Sequence, residues 1–296
     1  MNEAIDFKLA VIIPTRNRPK SVKRLLENIA SQSITPELVV LIDSSDVELD
    51  LTASPKTLNI KYKYSRLKSA AHQRNMGLIE IYKNSIEFDF VSFLDDDVKI
   101  PNNYFVHLIG QLIKNNAVGI SGIASVDYSK KEKTNIFQVS EQLGGRLTIG
   151  ALNMAPKPMR GLKEVEWLIG CSIWRVSSLS QKEFFFQGDF LGQSIFEDVI
   201  FSHEISHFGK LIVDTHFVFS HQMDSSARPS PPENAADWVL NRFRQISIDN
   251  CSNFLGFKIV NSLMLFTNFL RRIWGQNLGY DVKGLLNGLH RINRSL

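Results

Sequence analysis

Phe90-Val91-Ser92-Phe93-Leu94-Asp95-Asp96-Asp97-Val98 is the stretch whose reading decides the fold. Val, Phe and Leu in a short run without Gly or Pro suit a buried parallel strand. The run leads directly into three adjacent carboxylates, which do not suit a core, because like charges repel and a buried carboxylate needs a partner. The simplest partner is a divalent cation. Hard oxygen ligands suit Mg²⁺ or Mn²⁺, and Mg²⁺ typically takes one or two carboxylates together with phosphate oxygens. The carboxyl end of a strand in an open parallel sheet is also where such folds bind ligands. The alternative is an acidic turn that exposes solvated charge.

Working outward toward the amino terminus, the same pattern recurs. Leu9-Ala10-Val11-Ile12-Ile13-Pro14 reads as a buried strand stopped by proline, followed by the polar turn Thr15-Arg16-Asn17-Arg18. Pro19 suits the first turn of a helix, and Val22, Leu25, Leu26 and Ile29 continue it at helical spacing. Leu38 to Ile42 is a second buried strand, again ending in polar residues, Asp43-Ser44-Ser45-Asp46. Residues 59–64 form a third strand, and 69–82 a helix that carries Arg74-Asn75 near its middle. Strands and helices in this alternation, with short connections, predict a mainly parallel sheet covered by helices. No Gly-x-Gly-x-x-Gly follows the first strand and no Gly-Lys-Ser/Thr loop exists, so neither a dinucleotide fingerprint nor a P-loop is present.

Toward the carboxyl terminus, a helix over 102–114 and a strand over 118–126 precede a polar, Gly- and Pro-rich excursion over about 127–162, with a hairpin near Gly144-Gly145. Strand-like runs at 165–168 and 171–176 follow. An aromatic loop from Phe184 to Phe196 leads into Glu197-Asp198, which open a helix stopped by Gly209; acids in a first helical turn also suit plain capping. Two short strands, 211–213 and 217–219, come before His221. Residues 225–232 read as a loop, and helix follows from Asp237. The helical stripe Val260, Leu263, Met264, Thr267, Leu270 and Ile273 is too polar for a membrane span. The basic, aromatic-bearing last forty residues suit either a membrane surface or packing against the main domain.

The 296 residues allow one large domain with an appendage, here 1–225 and a helical extension over 226–296. A net charge of +4 permits anionic partners, but no basic run with interleaved aromatics is present, which argues against nucleic acid. Cys171 and Cys251 lie far apart with no Cys-x-x-Cys, which excludes a zinc ribbon and points to a reducing compartment. The acidic start Met1-Asn2-Glu3 is unlike a signal peptide, so a cytoplasmic protein is expected.

In order and spacing these pieces resemble the inverting glycosyltransferases of family 2, with the GT-A fold, over about Leu9 to His221. The resemblance rests on the opening strand and turn 11–18; the second strand with its acid, Val39 to Asp46; Ala71-His72-Gln73-Arg74-Asn75-Met76-Gly77; Leu94-Asp95-Asp96-Asp97 as an Asp-x-Asp motif; Gly170 to Arg175; and Phe196-Glu197-Asp198-Val199. The second strand lacks the glycine of the family's usual Asp-x-Gly-Ser, and the carboxy-terminal helices have no counterpart in the shared core.

The resemblance implies transfer of a sugar from a nucleoside diphosphate donor, with uridine as the expected base, to an acceptor hydroxyl with inversion. It implies Asp198 as general base, with Glu197 orienting its neighbour or the acceptor. It implies Asp97 and His221 as contacts to Mn²⁺ or Mg²⁺, the imidazole favouring Mn²⁺. Asp95 would lie near the ribose or a metal-bound water, and Asp96 would be a further substrate contact. Pro14, Thr15, Arg16 and Asp43 would line the base and ribose pocket, and Arg74 would place a cation at the donor. Trp174 or the loop from Phe184 to Phe196 would stack on an acceptor sugar. Each also has a plainer role: a salt bridge for Arg74, an unligated histidine for His221, core for the aromatics. The expected acceptor is a glycan or lipid-linked glycan of a cell-surface polysaccharide pathway, reached at the inner face of the membrane. The alternatives are a non-catalytic nucleotide-sugar-binding module and an aspartyl-nucleophile phosphatase, which Lys99 fits poorly.

Overall fold

The computed structural model describes residues 7–125, 145–148, 150–153, 161–179, 194–221, 230–246, 253–273 and 282–295. In chain order these form β1 (Leu9–Thr15), α1 (Pro19–Ala30), β2 (Leu38–Asp43), β3 (Ile60–Tyr64), α2 (Ala70–Tyr82), β4 (Phe90–Phe93), β5 (Val98–Lys99), α3 (Tyr104–Lys114), β6 (Gly119–Ser125), β7 (Leu162–Val165), β8 (Ser172–Arg175), α4 (Val176–Leu179), α5 (Glu197–Ile205), β9 (Leu211–His221), α6 (Pro231–Ile246), α7 (Phe254–Ile273) and α8 (Val282–Ser295). The strands make one sheet in the order β3-β2-β1-β4-β8-β6-β9-β5, with β7 also paired to β9.

The half β3-β2-β1-β4 is wholly parallel. β8 runs antiparallel between β4 and β6, β6 and β9 are parallel, and β5 and β7 lie antiparallel to β9. Register, more than sequence proximity, gathers the polar strand ends. Thr15 pairs with Asp43 across β1 and β2, and Ile12 pairs with Phe93 across β1 and β4. The turn from Thr15 to Arg18, the end of β2 and the aspartates after β4 therefore lie along one edge of the sheet.

Both faces of the sheet are covered. Alternation along β1 sends Ala10 and Ile12 to one side, against Ala71, Leu78 and Ile81 of α2 and Val199, Ile200 and Phe201 of α5. Leu9, Val11 and Ile13 face the other side, against Val22, Leu25, Leu26 and Ile29 of α1 and Phe105, Leu108, Ile109 and Leu112 of α3. A strand covered on both faces must be apolar throughout, and every residue of β1 and β2 is buried.

α2 starts where the Ser69 side chain accepts from the backbone N–H of His72 at 3.2 Å, an N-cap. It lies close on β1 because position 77 is glycine: a Cβ there would stand 2.5 Å from Cγ2 of Ile12. Ile12 is fully buried and β-branched, so it cannot turn away. We therefore expect Gly77→Ala to lower stability by about 1–3 kcal/mol through overpacking, although the same change on an exposed helical site would raise it by about 1 kcal/mol. Thermal unfolding of the variant checks the sign.

Several boundaries differ from the sequence reading. Residues 211–221 form one continuous strand, paired with β6 over 211–213 and again over 218–220, with a register shift between Ser121 and Ile123. The strand expected at 165–168 lies at Leu162–Val165 instead, on β9. α6 begins at Pro231, inside the expected loop, because two prolines suit a first helical turn that needs no N–H. Most of the excursion 127–162, residues 184–193 of the aromatic loop and Gly144 lie outside the described residues. α6, α7 and α8 share a small core of Ala235, Val239, Phe257, Leu285 and Ile292. Among the described residues no helix is long and apolar enough to cross a membrane.

Candidate active site

The edge of the sheet where β1, β2 and β4 end opens into a cavity of about 380 Å³. Its wall takes Pro14, Thr15, Arg16 and Arg18 from the β1 turn, Arg74 from α2, the three aspartates after β4, Gly170, the segment Ser194 to Asp198, His221 from β9, and Asn153 and Trp238 from farther along the chain.

The aspartates have separate partners. Asp96 is buried and accepts from Thr15 Oγ1 at 2.6 Å and Arg18 Nη1 at 2.8 Å. Burial pushes its pKa up to about 6 despite the nearby Arg18 cation. Asp97 lies 3.2 Å from the same Arg18 nitrogen through Oδ2, and 2.8 Å from His221 Nε2 through Oδ1. The pairing of Val98 with His221 across β5 and β9 puts that imidazole there. Asp95, the most exposed of the three, accepts from Arg74 Nη2 at 2.7 Å.

Arg74 is itself buried and links two segments by a second ion pair, to Glu197 Oε1. Its guanidinium stays charged beside Glu197, Asp95 and Asp198, although burial opposes this. Burial pushes Glu197 up to about 8 against the pull of Arg74, and its other oxygen, Oε2, has no hydrogen-bond partner among the described residues. Asp198 is half-buried on the cavity wall, and burial raises it to about 6; Arg74 and the backbone N–H groups of Val199 and Gly170 pull the other way. Gly170 leaves room for this cluster, since a Cβ there would come within 2.9 Å of Arg74 Nη2. The turn that delivers Glu197 and Asp198 holds Ser194 and Phe196 at φ of 52° and 79°, left-handed values that non-glycine residues adopt at a cost. Ser194 Oγ accepts from the backbone N–H of Ala71 at 3.1 Å and so ties that turn to the start of α2.

Ten of the residues expected from sequence thus meet on one cavity wall: Pro14, Thr15, Arg16, Arg74, Asp95, Asp96, Asp97, Glu197, Asp198 and His221. Two do not. Asp43 is fully buried and absent from the wall, where its neighbour Ser44 stands. Its oxygens are taken by Ser45 N at 2.8 Å, Ser45 Oγ at 2.5 Å, Tyr62 OH at 3.0 Å and Leu49 N at 3.2 Å, so it shapes the turn after β2. Trp174 is also core. Its indole N–H donates to Ser172 Oγ at 2.7 Å, and its ring meets Phe201 edge-on at 5.0 Å. It is 1% exposed, which leaves no face for a sugar.

Other wall or support residues were not expected from sequence. Arg18 was legible as a second arginine in the β1 turn. Gln73 gave no signal; its amide donates to the carbonyls of Thr15 and Ile42 at 2.8 and 2.6 Å, pinning the ends of β1 and β2 together. Trp238, from α6, is half-buried with the Arg242 guanidinium 4.3 Å from its ring centroid. Arg242 is held from behind by the carbonyls of Gly150 and Ala151 and by Asn261.

Asp97 and His221 also fit a divalent cation. Two ligands bound at about 2.1 Å at right angles stand about 3 Å apart, close to the observed 2.8 Å between Oδ1 and Nε2. Among the described residues no group of three or more His, Cys, Asp or Glu is arranged to hold a metal, so other positions would fall to water and to oxygens of a ligand.

Comparison with solved structures identifies the fold as GT-A. The chain superposes on S. aureus TarS 1-349 in complex with UDP-GlcNAc with a TM-score of 0.54 and 18% identity, covering 90% of this chain and 73% of that one. For the mannosyltransferase PcManGT from Pyrobaculum calidifontis in complex with GDP-Man and Mn²⁺ the values are 0.56, 15%, 99% and 77%. For GalNAc-T7 with UDP, GalNAc and Mn²⁺ they are 0.61, 14%, 99% and 55%. The chain spans 43% of the longer TarS structure it also matches. No curated protein matches it in sequence. Residues 10–163, just over half the chain, match the family model of Glycosyl transferase family 2, and the chain belongs to that family.

Proposed function

We propose that the protein is an inverting glycosyltransferase that moves a sugar from a nucleoside diphosphate sugar, with UDP as the expected nucleotide, to a hydroxyl of a glycan or lipid-linked glycan. The observation that carries this reading is one cavity lined by two chemically distinct sets of groups. One set is Asp97, His221 and Arg18; the other is Asp198, half-buried and pushed up to about 6 by burial. A carboxylate tuned toward neutral pH suits general base work, and an arginine beside two candidate metal ligands suits a diphosphate.

In this reading Asp198 accepts the proton of the acceptor hydroxyl as its oxygen bonds to the anomeric carbon. The bond from that carbon to the diphosphate breaks from the opposite face, and the diphosphate leaves with the electron pair. One displacement inverts the centre and needs no protein nucleophile. Arg18 offsets charge on the departing diphosphate, and the buried Arg74–Glu197 pair fixes the turn that carries Asp198. Asp97 and His221 would hold Mn²⁺ or Mg²⁺, which supplies further positive charge at the diphosphate when bound. Pro14, Thr15, Arg16 and Ser44 are left for the nucleoside, and the end of the cavity near Trp238 for the acceptor.

Thermal unfolding with a panel of nucleoside diphosphates and their sugars, with and without Mn²⁺, tests the donor half. A ligand at about 100 times its Kd stabilises by about 2.7 kcal/mol, a rise of several degrees in Tm. We expect one nucleotide to give this rise with Mn²⁺, and Asp97→Ala to remove it. No shift with any nucleotide would defeat the reading.

A further inference from the structure

The three carboxy-terminal helices bury their inner faces against one another, but α7 leaves its outer face bare. Leu255, Ile259, Leu263 and Phe266 are 68%, 51%, 47% and 58% exposed. Their spacing of four, four and three residues puts them on one stripe, opposite Phe257, Val260 and Met264, over about 16 Å of helix. Phe254 and Lys258 flank the stripe, with the Lys258 ammonium 4.2 Å from the Phe254 ring centroid.

Charge points to what covers it. Residues 231–296 hold eight Lys and Arg against four Asp and Glu, so this extension accounts for the whole net charge of +4 and the rest of the chain is balanced. Area points the same way. Four half-exposed side chains on one helix offer far less than the roughly 800 Å² per partner that a specific protein interface takes. An apolar stripe flanked by Lys258, on a basic extension, suits a helix lying in the headgroup layer, where a few inserted side chains and attraction to anionic lipid act together. No described helix is long and apolar enough to span a membrane, so contact through α7 would be at the surface.

We propose that the outer face of α7 docks the protein on an anionic lipid bilayer, with Leu255, Ile259, Leu263 and Phe266 entering the interface and Lys258 meeting the headgroups. This does not depend on the chemistry proposed for the cavity.

Co-sedimentation of the full chain with vesicles tests it. With phosphatidylcholine containing about 30% phosphatidylglycerol we expect at least roughly tenfold more bound protein than with phosphatidylcholine alone, falling as salt is raised. Leu255→Glu/Ile259→Glu/Phe266→Glu should abolish the binding while leaving the thermal unfolding curve in place, because all three side chains are exposed. In a second variant, Phe266→Trp, the added indole emission should shift to the blue only with the anionic vesicles. Protein that stays in the supernatant with anionic vesicles overturns the proposal, as does binding that survives the triple substitution. A dimer in solution that the triple substitution splits into monomers would assign the stripe to a second copy of the chain and also overturn it.

Discussion

Asp198→Asn should reduce sugar transfer by about 10²- to 10⁴-fold, the range that a positioned general base contributes, while leaving donor affinity unchanged. Asparagine keeps the shape of the side chain and still accepts from the Val199 N–H, at 2.9 Å in the native protein, so the turn should survive. What it loses is the site that takes the acceptor proton. Burial raises the folded-state pKa of Asp198 to about 6. The base works only when unprotonated, so kcat/KM should climb from about pH 5 to about pH 7 with a midpoint near 6, and stay flat above until another group titrates. Asp96 is raised to the same range. The assignment therefore needs Asp96→Asn, which should lower the rate yet keep the acid limb, whereas Asp198→Asn should remove it. Steady-state rates across pH, with donor affinity measured separately by calorimetry, give the answer. A variant Asp198→Asn that still turns over at about a tenth of the native rate would rule out the general-base role.

The second large effect is on stability. Arg74→Met should cost about 3–5 kcal/mol, the usual penalty for removing one partner of a buried ion pair. The guanidinium holds Glu197 on one side and Asp95 on the other, and Arg74 and Glu197 are both almost fully buried. Without it Glu197 is left as a buried carboxyl group with neither oxygen held by a cation, in a site that already leaves Oε2 unpartnered among the described residues. Urea unfolding should show the loss as a lower midpoint with an unchanged slope. The double variant Arg74→Met/Glu197→Leu should recover much of it, because an apolar pair replaces a buried polar group left without its partner. Asp95 is about one-third exposed and can turn to water. If the single variant loses less than about 1 kcal/mol, or the double variant is weaker still, the pair is not the tie between α2 and α5. Transfer should fall in both variants, since the turn presenting Asp198 depends on this anchor.

Much of this was legible locally. An apolar run has to be buried, and carboxylates at its end have to meet a partner. The stretch from Phe90 to Val98 therefore predicted both a central strand and a site at its end. The apolar runs of β1 and β2, each closed by polar residues, placed Thr15, Arg16 and the turn after Asp43 at the same edge. Periodicity in α1 and the Glu197-Asp198 helix start were readable for the same reason, because helix and strand geometry act over a few residues.

Only the tertiary structure decided who meets whom. Arg18 and the aspartates are nearly eighty residues apart, and their contact depends on parallel register between β1 and β4. His221 reaches Asp97 because β5 pairs with β9. Trp174 looks the same in sequence whether it stacks on a sugar or on Phe201, since burial is a property of neighbours; the structure makes it core and puts Trp238 on the cavity wall. Asp43 likewise carries an exposed-looking pattern but is saturated by four donors, two of them brought from Leu49 and Tyr62. The outer stripe of α7 is apolar in the sequence on either account. Which side of that helix faces α6 and α8, and which is left bare, follows only from how the three helices pack.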